Sequence, residues 1–172
     1  MAAPVIAEVA IQPEPEEQLP TVAGSPSVLV VDDAPVFLKA TGLKLSRAGC
    51  TVLAAQDGPD AITIARTSNP DVIILDIGLP ADVTVAWDGI RVMKWIKRME
   101  NGSAPPIIIV TAGTSAALKQ NALDYGATAF FQKPLDHAKL LDAINKIVKQ
   151  KSSAPGSAAA PKASLSLFTA GN

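Results

Sequence analysis

VLVVDD, residues 28–33, decides the fold. The run from Val28 to Val31 is apolar without polar alternation and rich in β-branched residues, and it leads straight into Asp32 and Asp33. A short run of this kind reads as a strand buried on both faces, as in a parallel sheet covered by helices. The same arrangement recurs along the chain: VIIL (72–75) precedes Asp76, IIIV (107–110) precedes Thr111, and TAFF (128–131) precedes Gln132, Lys133 and Pro134. In open α/β sheets the ligand crevice lies beyond the carboxyl ends of the strands. Topology alone therefore gathers Asp32, Asp33, Asp76, Thr111 and Lys133 at one edge.

Helical patterns fill the intervals. Pro35 suits a first helical position, where its missing N–H removes no hydrogen bond. Phe37, Ala40, Thr41, Leu45 and Ala48 follow at helical spacing and predict an inward face that stops at Gly49. A second strand is expected near Thr51 to Ala55, then a helix from about Pro59 to Thr67. Asp88-Gly89 opens a third helix with Ile90, Met93 and Ile96 inward and Arg91, Lys94, Lys97 and Arg98 in solvent. A fourth is expected from about Ser115 to Tyr125. The fifth, from Pro134 to Lys149, turns Leu140, Leu141, Ile144 and Ile147 or Val148 inward.

The 172 residues, 48% hydrophobic, suffice for one sizeable core. A net charge of -1 gives no general attraction to nucleic acid or to anionic membranes. The single cysteine, Cys50, excludes an intramolecular disulfide and is expected to pack as a small apolar residue at the start of the second strand. Residues 1–25 carry Pro4, Pro13, Pro15 and Pro20 with Glu8, Glu14, Glu16 and Glu17 and no basic residue, the composition of an extended acidic tail rather than a secretory signal. Residues 152–172, rich in Ser, Ala, Pro and Gly, read as a second flexible tail, with Leu165, Leu167 and Phe168 as its only apolar cluster. One domain over residues 26–151 remains. No stretch is long and apolar enough to span a bilayer, so a soluble, cytoplasmic protein is expected.

The chain resembles a response-regulator receiver domain of two-component signalling. VLVVDD (28–33), IILDIGLP (73–80), DG (88–89), IIIVTA (107–112) and YGATAFFQKPL (125–135) carry the resemblance, in order and at the expected separations. It implies a flavodoxin-like, doubly wound five-stranded parallel sheet of strand order 2-1-3-4-5, with helices on both faces. It also implies that Asp76 is the phosphorylated nucleophile. Asp33 and Asp76 would bind Mg²⁺ directly, Asp32 through water, and Gly78 through its backbone carbonyl. Mg²⁺ prefers a tight octahedron of oxygens, and a cation between crowded carboxylates relieves their repulsion. Lys133 would neutralise a phosphoryl oxygen and the Thr111 hydroxyl would donate to another. Phe130 holds the aromatic switch position three residues before the lysine, without the phenolic OH of the commoner Tyr. The Lys133-Pro134 bond is cis in the family.

Taken singly, Asp32 and Asp33 would pass for helix caps, Thr111 for a strand-end hydroxyl and Lys133 for a solvated cation; at mutually consistent positions they make one site. His137, without a second candidate ligand, reads as an exposed helix residue. Two departures from the family stand out. Seven residues, 81–87, separate Pro80 from Asp88 where the family usually has about two, and Val83, Val85 and Trp87 make this loop apolar. Gly78 and Gly113 stand two past Asp76 and Thr111, positions that influence dephosphorylation, so the phosphoryl lifetime stays open. The expected function is that of a stand-alone receiver, phosphorylated by a sensor histidine kinase or phosphotransfer protein and acting on a downstream protein target. It is not an enzyme beyond Mg²⁺-dependent self-phosphorylation and self-dephosphorylation. The alternatives are a phosphorylation-independent adaptor on the same fold, or an Asp-nucleophile phosphatase of the haloacid-dehalogenase type. The latter needs a second Asp where Gly78 stands.

Overall fold

A computed structural model describes residues 20–79, 88–99, 104–113 and 115–153. The loop at 81–87, the acidic residues 8–17 and the Leu165, Leu167 and Phe168 cluster lie outside the described residues. Strands and helices alternate: β1 (Ser27–Val31), α1 (Pro35–Arg47), β2 (Thr51–Ala55), α2 (Gly58–Ser68), β3 (Val72–Asp76), α3 (Gly89–Met99), β4 (Ile107–Thr111), α4 (Ala116–Asp124), β5 (Ala129–Gln132) and α5 (His137–Ser153). All pairings are parallel and the sheet order is β2-β1-β3-β4-β5. This is the doubly wound five-stranded architecture expected from the sequence.

The absence of polar alternation in the central strands follows from the two cores. Val28, Val30, Val72, Ile74, Ile108 and Val110 face α1 and α5, against Leu38, Leu45, Leu140, Leu141 and Ile144. Their neighbours Leu29, Val31, Ile73, Leu75, Ile107 and Ile109 face the opposite layer, with Ala65, Met93, Ile96 and Ala122. Period-2 alternation thus distributes apolar side chains to both faces. The edges differ: β2 is mixed in burial and β5 is only half-buried, because each has a neighbour on one side. In α1 the buried residues are Leu38, Thr41 and Leu45, whereas Ala40 is exposed and Phe37 half-buried. In α3, Val92 joins Met93 and Ile96 in the core and Ile90 is half-buried. Both helices are rotated slightly from the expected stripe, so that Leu38 in α1 and Val92 in α3 turn inward. Cys50 is buried just before β2, and burial raises its thiol pKa.

The packed body extends further toward the N-terminus than residue 26. Val22 is 6% exposed within the α1/α5 core, and its N–H donates to the Ala48 carbonyl at 2.7 Å. Asn145 on α5 donates to the Thr21 carbonyl at 3.1 Å and accepts from the Ala23 N–H at 3.4 Å. The acids and most prolines of the first 25 residues precede Pro20, so their composition says little about the five residues that follow it.

Below the sheet, away from the carboxyl ends of the strands, Asp71 joins three elements. It accepts from the Ser27 N–H at 3.0 Å, the Ser27 hydroxyl at 3.1 Å and Lys151 Nζ at 3.0 Å. Burial alone would raise its carboxyl pKa, but these donors outweigh it and hold the group below its ordinary value. A depressed carboxylate stabilises above its unfolded pKa, and that contribution is lost as pH falls through the folded value. Asp71→Asn should therefore cost about 1 kcal/mol at neutral pH, the ion pair being partly exposed. Urea titrations of both proteins should show the gap closing as pH falls through the lower carboxylate range; a gap that is the same at all pH values would assign Asp71 a merely steric role.

Candidate functional site

The strand registers set the crevice. Val31 pairs with Leu75, Asp76 with Val110, and Thr111 with Gln132. Each chain therefore leaves the sheet at nearly the same height, with Asp32 just past β1, Asp76 and Thr111 closing β3 and β4, and Lys133 just past β5. The three buried polar groups here are graded: Asp32 is 0% exposed, Asp76 6% and Thr111 4%, while Asp33 lies on the surface.

Lys133 ties them together. Its Nζ donates to Asp32 Oδ2 at 2.5 Å and to Asp76 Oδ2 at 2.6 Å. The Lys133 backbone N–H is fixed on the Thr111 carbonyl at 2.8 Å, and the Lys133-Pro134 bond is cis. The remaining carboxylate oxygens are held by backbone. Asp32 Oδ1 accepts from the Ala34 N–H at 3.0 Å and Asp76 Oδ1 from the Gly78 N–H at 2.7 Å. Thr111 Oγ1 accepts from the Gly113 N–H at 3.2 Å, leaving its proton to donate elsewhere.

Burial raises the Asp32 pKa, and the Lys133 and Ala34 donors oppose that rise without cancelling it. For Lys133, burial works against the charged form, but the two carboxylates prevail and hold it protonated. The ammonium thus neutralises part of a carboxylate group that would otherwise repel itself. Asp32, Asp33 and Asp76 each place a carboxylate oxygen within 4.8 Å of the others. An all-oxygen donor set of this charge suits a hard divalent cation, Mg²⁺ among them, and not a thiophilic metal.

The structure brings Asp32, Asp33, Asp76 and Lys133 together, with Thr111 one strand away. Phe130, on β5, is half-buried and packs on the α2/α3/α4 side of the sheet, opposite Ile109. His137 is not exposed as expected. Half-buried, it lies 3.5 Å from Thr41 Oγ1 and 3.4 Å from Lys44 Nζ, joining α5 to α1, because the turn after Pro134 delivers it against that helix. Two neighbours of the site were not legible as such. Phe37, read as a core residue, places its ring under Lys133 Nζ, 4.3 Å from the centroid. Gly89, read as the start of α3 and as part of a stretch that carries the resemblance, abuts the peptide of Asp76 and donates to the Ile77 carbonyl at 3.2 Å. The Asp-Gly pair was the available signal for the second; for the first there was none.

Comparison with known proteins agrees with this geometry. Residues 28–145 match the model of the response regulator receiver domain. Protein PilH of Pseudomonas aeruginosa is 31% identical over 121 residues, 70% of this chain and 96% of PilH. The transcriptional regulatory protein KdpE of Mycobacterium tuberculosis is 34% identical over 127 residues, 74% of this chain but only 53% of KdpE. Among solved structures, the receiver domain of the Francisella response regulator 1452 superposes with a TM-score of 0.65 at 31% identity, covering 73% of this chain and 98% of that one. The chemotaxis protein CheY4 of Vibrio cholerae gives 0.62 at 30%, covering 71% and 98%. With the fold, the register and the family match in agreement, the chain belongs to the response regulator receiver domain family.

Proposed function

We propose that Asp76 accepts a phosphoryl group from a sensor histidine kinase or phosphotransfer protein and that the resulting change is relayed to a downstream protein by contact. The observation that carries this reading is the ammonium of Lys133 bridging Asp76 and the buried Asp32 beside an exposed third carboxylate. In the transfer, an Asp76 carboxylate oxygen forms the new bond to phosphorus as the donor's bond to it breaks. Lys133 is placed to pass from the Asp76 carboxylate to an incoming phosphoryl oxygen while keeping Asp32. The Thr111 hydroxyl is the donor for another such oxygen, and Phe130 is the aromatic that follows Thr111 when it moves.

Asp33 and Asp76 would hold Mg²⁺ directly, Asp32 through water, and the Gly78 carbonyl would complete the protein's share. Mg²⁺, when bound, neutralises the carboxylates and the phosphoryl oxygens. A Borrelia burgdorferi CheY, 28% identical and with a TM-score of 0.63, was crystallised in a complex with CheX, BeF₃ and Mg²⁺, which supports this reading. The match along nearly the whole of PilH supports action as a stand-alone regulator. Among the described residues no helix is long and apolar enough to cross a membrane. Beyond taking and releasing its own phosphoryl group the protein is not an enzyme in this proposal.

The test is intact-mass measurement after incubation with acetyl phosphate and Mg²⁺. Wild type should gain one phosphoryl group and Asp76→Asn none. Equal phosphorylation of the two proteins, or none of the wild type, would overturn the assignment.

A further inference from the structure

The Lys133 ammonium has three N–H donors. Asp32 and Asp76 take two of them, at 2.5 and 2.6 Å. A further neighbour is the Phe37 ring, whose centroid lies 4.3 Å from Nζ, well inside the distance at which a cation is attracted to an aromatic face. The ring is a fixed wall. Phe37 sits in the first turn of α1, half-buried against the α1/α5 core, and that turn is anchored by the Ala34 N–H on Asp32 Oδ1. Asp32 and Phe37 are therefore set by the same few residues and approach Lys133 from the same strand end.

We propose that Phe37 is a positioning residue for Lys133, its π face holding the ammonium over the crevice. This rests on the phosphoryl-accepting role of Asp76. A third carboxylate in this place would compete with the phosphoryl group for Lys133 and add repulsion to a crowded acidic site. An aliphatic side chain would supply packing but no attraction. The aromatic quadrupole attracts the cation, adds no net charge and uses no hydrogen-bond acceptor. Phosphorylation brings roughly -1.5 to -2 charges to this site, and the ring keeps the ammonium on the same side of the crevice while its ionic partners change.

Fluorinated phenylalanines at position 37 separate attraction from packing, since ring fluorines weaken the negative face with little change of volume. With one, two and three fluorines, the rate of Asp76 phosphorylation by acetyl phosphate and Mg²⁺ should fall stepwise, reaching about a fivefold to tenfold loss at trifluorophenylalanine. Phe37→Leu should lose as much, and Phe37→Tyr, which keeps a π face, should restore the rate. Rates that do not respond to fluorination would overturn the proposal. A second readout needs no phosphorylation: the Lys133 Cε protons should resonate upfield in wild type relative to Phe37→Leu, through the ring current. An identical shift in the two proteins would overturn the contact itself. Failure of wild type to accept phosphate would instead sink the role of Asp76, with the ring-current shift still deciding whether Phe37 seats the lysine.

Discussion

Gly89→Ala is expected to destabilise the protein by about 3 kcal/mol and to slow phosphorylation of Asp76 by roughly a hundredfold. A Cβ at this position would stand 2.1 Å from the Asp76 carbonyl oxygen, 2.7 Å from Ile77 Cα and 2.9 Å from the Asp76 carbonyl carbon. All three are backbone atoms, so no side chain can swing aside to make room. Relief requires α3 to move away from β3, or the end of β3 to bend. The first is opposed by Val92, Met93 and Ile96, which are fully buried on the underside of α3, and by the Gly89 N–H, which donates to the Ile77 carbonyl at 3.2 Å. The second displaces the proposed acceptor itself. Overpacking a well-filled site usually costs about 1–3 kcal/mol, and contact with immobile backbone puts this case at the upper end. For a domain of this size that is a fall of roughly 10 °C in melting temperature. Calorimetry and the acetyl phosphate assay together check the expectation. A variant that melts and reacts like wild type would show that α3 is free to shift and that Gly89 does not hold the end of β3.

The central strands were legible because each is a short apolar run ending in a polar residue, and only burial on both faces makes such a run stable. Their order came from resemblance, since periodicity does not say which strand lies beside which. What was hidden depended on tertiary placement. The inward face of α1 was read through Ala40, which is exposed, when Leu38 was the better anchor; the two lie on opposite sides of the helix, and Thr41 and Leu45 fit a stripe drawn through either. Val22 could not be seen because one buried residue has no period, and the glutamates before it coloured the whole segment. Asp71 looks like any polar residue before a strand until Ser27 and Lys151, distant in sequence, are brought to it. In the crevice, Asp32, Asp33, Asp76 and Lys133 were legible through their shared position after apolar strands and not singly, since an open parallel sheet gathers those strand ends at one edge. The contact of Phe37 with Lys133 and the partial burial of His137 were hidden because an aromatic or a histidine on a helix has many ordinary uses, and only the neighbour across the fold distinguishes them.

Removing the ammonium should expose how much the site depends on it. Lys133→Met keeps most of the side-chain length and apolar stem but leaves Asp32, 0% exposed, and Asp76, 6% exposed, without their shared counterion. Breaking a buried ion pair from one side costs about 3–5 kcal/mol, because the remaining charge has lost its partner without regaining water. Lys133 is 21% exposed and Asp33 opens the crevice to solvent, so the lower end, about 3 kcal/mol, is the expected loss in metal-free buffer. A cation that binds only the folded state stabilises it by RT ln(1 + [M]/Kd), a gain that grows as its concentration exceeds Kd. Lys133 competes for the same carboxylates, so its removal should tighten Mg²⁺ binding and make the Mg²⁺-induced rise in melting temperature larger in Lys133→Met than in wild type. Lys133→Arg, which keeps the charge, should respond like wild type. Melting curves at increasing Mg²⁺ concentration check both parts. If Lys133→Met melts with wild type in the absence of metal, the lysine is not the counterion of Asp32 and Asp76. If it is destabilised but gains no more from Mg²⁺ than wild type, the cation binds elsewhere and the three carboxylates are not its site.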